Sequence, residues 1–145
     1  MSEIATPREV FEKLLAGIAA GRWADLGELY AEEAVVEIPF SPFPPRRLDG
    51  RAALLARFEE LGGTSPFEMR AENVVVHQVD DPEVVIAEFD WVGRHVASGR
   101  TFEAPNIQVL RVRDGKIVST RDYHHHAVIA AATGTLEQFA DAFRP

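Results

Sequence analysis

The 145-residue chain carries 15 Lys and Arg against 23 Asp and Glu, a net charge of −8, and no cysteine. Its length suits one domain with one core. The acidic balance speaks against nucleic acid, whose binding draws on surplus cations, and against an anionic membrane surface, and the missing cysteines exclude disulfides, thiolate metal sites and a cysteine nucleophile.

The start, Met1 to Pro7, lacks the positive residues and apolar run of a signal peptide. No stretch approaches the roughly 20 apolar residues of a membrane span. A single cytoplasmic domain over residues 1–145 is the expectation.

Thr6-Pro7-Arg8-Glu9 predicts a helix start, with Thr6 as N-cap, Pro7 in the first turn and Glu9 closing a capping box. Val10, Phe11, Leu14, Leu15 and Ile18 continue it at helical spacing, and Gly21 ends it. A second, short helix is read through Trp23, Leu26, Leu29 and Tyr30, with both aromatics as core. Ala34 to Ile38 is β-branched and stops at Pro39, which marks a strand. Phe40-Ser41-Pro42-Phe43-Pro44-Pro45 is a stiff loop, because proline fixes φ and lacks the amide hydrogen. Arg46-Arg47 reads as its solvated continuation. A third helix runs from Arg51 to Leu61 and breaks at Gly62-Gly63.

From Phe67 the pattern turns to strands: Phe67 to Val79, Glu83 to Val96, Arg100 to Arg113 and Lys116 to His126. The turns between them are Asp80-Asp81-Pro82, Ser98-Gly99 and Asp114-Gly115, the last two typical of tight hairpins. Ala127 to Phe143 is a helical tail interrupted at Gly134. Helices followed by an antiparallel meander define an α+β fold, not a parallel α/β one.

Side chains alternate along Lys116–His126, so Thr120, Asp122, His124 and His126 share a face. A carboxylate one step from an imidazole is a candidate acid/base pair, since each sets the other's protonation. Surface exposure of both is the alternative. The run His124-His125-His126 offers only two same-face ligands, fewer than zinc requires, with His77 and His95 isolated; no metal is expected. Glu88 and Asp90 alternate with Phe89 and Trp91. If the acidic side faces inward, Asp90 and Asp122 form a carboxylate pair; if the apolar side does, Phe89 and Trp91 are core. Asn106 and Gln108 would orient a ligand wherever they face a pocket.

The order of elements, with Leu29-Tyr30-Ala31-Glu32-Glu33-Ala34-Val35-Val36-Glu37-Ile38-Pro39, Asp49-Gly50-Arg51, Asp114-Gly115-Lys116-Ile117 and Arg121-Asp122-Tyr123, resembles the SnoaL-like, ketosteroid-isomerase-like superfamily. That resemblance implies a cone-shaped α+β barrel, with N-terminal helices on a curved, mostly antiparallel sheet enclosing a pocket. The ketosteroid isomerase residues do not carry over: its base falls at Ile38, its tyrosine near Leu14 and its protonated aspartate near Gln108. Asp122 matches the acid/base aspartate of SnoaL-type cyclases and the Arg-Asp-Tyr aspartate of limonene-epoxide hydrolase-like proteins. In the latter, the Arg-x-Asp unit aligns with Glu88-Phe89-Asp90. Phenazine-biosynthesis A/B-type proteins are similar around Asp90, Asn106 and Arg121-Asp122-Tyr123.

The resemblance therefore implies an acid/base enzyme acting on a small, apolar, cyclic molecule. Asp122, His124 and Asp90 would be catalytic, and Gln108, Asn106, Phe40, Phe43 and Trp91 would bind substrate. No cofactor is expected, because such reactions move only protons. A homodimer through the outer sheet face is implied as well. A non-catalytic ligand-binding or dimerisation module of the same fold is the alternative.

Overall fold

The computed structural model describes residues 3–60 and 65–145. The expected break at Gly62-Gly63, with the last residue of the third helix, lies outside them. Helix α1 (Pro7–Ala20) opens with the expected capping box: Glu9 N donates to Thr6 Oγ1 and Thr6 N to Glu9 Oε1, both at 3.2 Å. The segment Trp23–Leu29 is a 3₁₀ helix, and Tyr30 begins strand β1 (Tyr30–Glu37) instead of ending a helix. Strand β2 (Arg47–Asp49) forms where a solvated loop was read. It pairs antiparallel with β1, so Arg47 sits opposite Glu37.

Helix α2 (Arg51–Glu60) and the long strands β3 (Phe67–Gln78), β4 (Val84–His95), β5 (Thr101–Arg113) and β6 (Lys116–Tyr123) follow close to their expected bounds. The tail forms α3 (His126–Thr133) and α4 (Leu136–Asp141), separated at Gly134, whose φ of 77° is left-handed. Asp114 and Gly115 both have positive φ, 52° and 75°, as a two-residue hairpin with inverted turn geometry requires.

The six strands form one sheet in the order β2-β1-β6-β5-β4-β3. All pairings are antiparallel except β1 with β6. The sheet is curved but unclosed, with β2 and β3 as its free edges, so the expected barrel is an open one. At Gly93 on β4 the edge strand β3 approaches so closely that a Cβ would stand 2.1 Å from Glu68 O. Inward residues alternate with outward ones along β4 and β5, and Val85, Ala87, Phe89, Trp91, Leu110 and Val112 are all buried. Helix α1 lays Val10, Phe11 and Leu14 on that concave face, where the Phe11 and Phe89 rings lie 5.8 Å apart. It fills one end of the concavity. The other end remains hollow.

A candidate acid/base site in the cavity

The hollow end is a cavity of about 520 Å³ between the sheet, α2, α3, and the proline-rich loop after β1. Its walls are mainly apolar, with Trp23, Val36, Leu54, Trp91 and Ile129 among them. Polar groups converge on one side, from the middle of β5 and the end of β6.

The register Gln108↔Asp122 puts both side chains on the inner face. Gln108 Nε2 donates to Asp122 Oδ1 at 2.8 Å. Burial pushes the Asp122 carboxyl up to about 6, against smaller opposing pulls from Gln108 and Thr120. What area Asp122 exposes opens on the cavity it lines. Strict alternation along β6 fails at its start. The register passes from Arg111↔Ser119 to Val112↔Ile117, so Val118 is an extra residue, and Ile117 and Thr120 both turn inward.

The strand ends at Tyr123, short of the expected His126, because His126 begins α3. His124 and His126 still line the cavity together, with ring centroids 5.6 Å apart and planes at 85°. His124 Nδ1 lies 2.7 Å from Asn106 Oδ1, and Asn106 Nδ2 donates to Ala104 O at 2.7 Å. Burial lowers both imidazoles to about 4; for His126 the neighbouring His124 and His125 add to it. His126 Nε2 is buried without a hydrogen-bond partner among the described residues. His125 instead caps α3, its Nδ1 accepting from Val128 N at 3.3 Å. Asp122 and His124 thus share the cavity wall, but Asp122 bonds Gln108 and His124 faces Asn106.

Two expectations need correction. Asp90 is not beside Asp122: Phe89 pairs with Asn106 and Asp90 with Pro105, so the apolar side of β4 faces inward. Asp90 accepts instead from Asn73 Nδ2 at 2.8 Å on the outer face, where an extra residue near Asn73 bulges β3. Phe40 is 63% exposed and packs edge-on against Tyr123, 5.2 Å between centroids, in an outer cleft. Phe43 and Trp91 do line the cavity, with Asn106 and Gln108.

Tyr30 belongs to the core, as the sequence predicts, and to the cavity wall as well. It is 5% exposed and lines the cavity; burial first, and the Asp122 charge second, raise its phenol well above the ordinary value, so it stays protonated. Its signal was its place just before a strand, which turns a helical residue into an inward strand residue. Arg57 stands at the mouth, bonded to Glu60 at 3.3 Å.

Three comparisons bear on this arrangement. The chain is 30% identical over 138 residues to the uncharacterised protein YesE of Bacillus subtilis, covering 92% of this chain and 91% of that one. A solved Bacillus subtilis structure described as a candidate isomerase superposes with a TM-score of 0.80 at 29% identity, covering 89% of this chain and 93% of the other. A candidate polyketide cyclase from Pseudomonas putida gives 0.72 at 22% identity over 88% and 98%, a likeness of fold. Residues 11–120 match the model of the SnoaL-like domain, and the chain belongs to that family.

Proposed function

We propose that the protein is an acid/base enzyme acting on a small, mostly apolar cyclic molecule held in the cavity. The observation that carries this reading is Asp122, a carboxyl raised to about 6 on the wall of an apolar chamber. A carboxylate with an elevated pKa takes a proton near neutral pH and can return it. Gln108 Nε2 holds one oxygen, leaving Oδ2 for the substrate. In the proposed step Asp122 removes a proton from carbon next to a substrate carbonyl. The C–H electron pair becomes the C=C bond of the enolate, the carbonyl π pair moves onto oxygen, and the proton is then delivered from Asp122 to another carbon or to that oxygen. Relatives described as candidate isomerase and cyclase support the class, because both reactions relocate protons.

The test is deuterium exchange at the α-carbon of 2-tetralone in D₂O, followed by proton NMR. Wild type should accelerate exchange, and Asp122→Asn should lose about 100-fold or more of that acceleration, the usual scale of a lost general base. Equal rates for the two proteins would sink the proposal and favour a non-catalytic binding module.

A further inference from the structure

Inner cavity and outer cleft meet at a short wall that includes Asn106 and His124, side chains that border both spaces. Asn106 is buried, 5% exposed, with its amide nitrogen 2.7 Å from Ala104 O. A carbonyl oxygen can only accept, so the group facing Ala104 must be the amide NH₂, and the orientation of Asn106 is fixed. Its Oδ1 then faces His124 Nδ1 at 2.7 Å. Two acceptors cannot sit that close without repulsion, so His124 must carry its proton on Nδ1. A neutral imidazole with Nδ1–H has a bare lone pair on Nε2.

We propose that Asn106 is a positioning residue that locks His124 as the Nδ1–H tautomer, and that His124 Nε2 thereby accepts a hydrogen bond from the hydroxyl of an uncharged phenol, enol or alcohol in the cavity. The inference rests on reading the cavity as the ligand site. Burial keeps His124 neutral at pH 7, so it offers no charge to an anionic ligand. The carboxylate of Asp122 on the same wall would repel an anion. An ammonium group would have to leave water for a chamber walled by Trp91, Phe89 and Val36, which is costly. A hydroxyl avoids both penalties.

Two readouts test this without any turnover. In the full-length ¹⁵N-labelled protein, long-range ¹H–¹⁵N NMR of the His124 ring should show protonated Nδ1 and bare Nε2 at neutral pH. In Asn106→Leu, with fold checked by circular dichroism, the ring should revert to the mixture dominated by Nε2–H that free imidazoles adopt. Wild type should also bind 2-naphthol about threefold to tenfold more tightly than 2-methoxynaphthalene, which keeps the shape but lacks the donor. Asn106→Leu should lose that preference. An Nε2–H tautomer in wild type, an unchanged tautomer in the variant, or equal affinity for the two naphthalenes would overturn the proposal. The wild-type spectrum decides the tautomer even if the variant fails to fold. Because no reaction is measured, failure of the exchange assay with 2-tetralone would sink the proposed chemistry and leave this inference standing.

Discussion

At the scale of single residues, the cavity is tuned by burial more than by pairing. An Asp whose carboxyl titrates near 6 in the folded chain and near 4 unfolded binds more protons folded between those values. Stability contributed by Asp122 therefore falls as pH rises from about 4 to about 6, and the full cost, up to about 3 kcal/mol, is present above 6. Asp122→Asn removes the charge and keeps an oxygen for Gln108 Nε2. The variant is expected to be more stable than wild type at pH 7, with the gap closing toward pH 4, by urea denaturation at both. His124 and His126 act in the opposite sense. Their folded pKa values near 4 lie below the unfolded 6.5, so their stability is complete above 6.5 and is lost as pH falls toward 4. In the variant this acid limb stands alone, and its stability should drop more steeply between pH 6.5 and 4 than that of wild type. A variant less stable than wild type at pH 7 would show that Asp122 is compensated by an interaction stronger than the Gln108 contact. Asp122 and His124 were legible as a carboxylate and an imidazole on one strand face, and Asn106 and Gln108 as amides alternating with Ile107 and Val109. The sequence could not show that His124 faces Asn106 and not Asp122, since that depends on a strand ending three residues early.

Elements divide into those that build the concavity and those that close it. The strands β3 to β6 were legible because period-two alternation and turn residues act locally. Strand β2 was not, because three residues carry no period and the strand exists only through its pairing with β1. Nor was the face of β4: Glu88 and Asp90 alternate with Phe89 and Trp91 equally well in either orientation. Pairing with Asn106 and Ala104 on β5 settles it. Helix α4 is of the closing kind. It contains no buried residue, yet Phe139 borders both the cavity and the outer cleft and packs on Phe143, 5.2 Å between ring centroids. Ending the chain after Thr135 keeps the contact from Thr135 N to Ala130 O that finishes α3. That truncation is expected to move the melting temperature by only a few degrees, because little apolar area is lost from the core. It should weaken 2-naphthol binding by about tenfold as one aromatic wall is removed. Thermal unfolding and fluorescence titration read the two effects separately. A collapse of the melting transition would mean that α4 supports the fold and does not merely cover the cavity.

For the whole molecule, the open sheet leaves a second face with its own composition. Val75 on β3 and Ile107 on β5 are 49% and 43% exposed, and Phe40 and Tyr123 stack at its margin. Glu88 on β4 stands between Val75 and Ile107 in register and bonds His77 at 2.7 Å, and Asp90 bonds Asn73 at 2.8 Å. Exposed apolar side chains interspersed with locally paired polar ones are the composition of a non-obligate contact surface. A second copy meeting this face is the expectation raised by the family resemblance. Such a pair brings together two chains of net charge −8, so repulsion opposes it and salt should relieve that repulsion. Light scattering is expected to give twice the monomer mass, with dissociation on dilution less pronounced at high ionic strength. Ile107→Glu places a like charge at the centre of the face and should shift the population to monomer while 2-naphthol still binds, because Ile107 points away from the cavity. A wild-type monomer mass at every salt concentration would remove the dimer, and loss of naphthol binding in Ile107→Glu would show that the two faces of β5 are coupled.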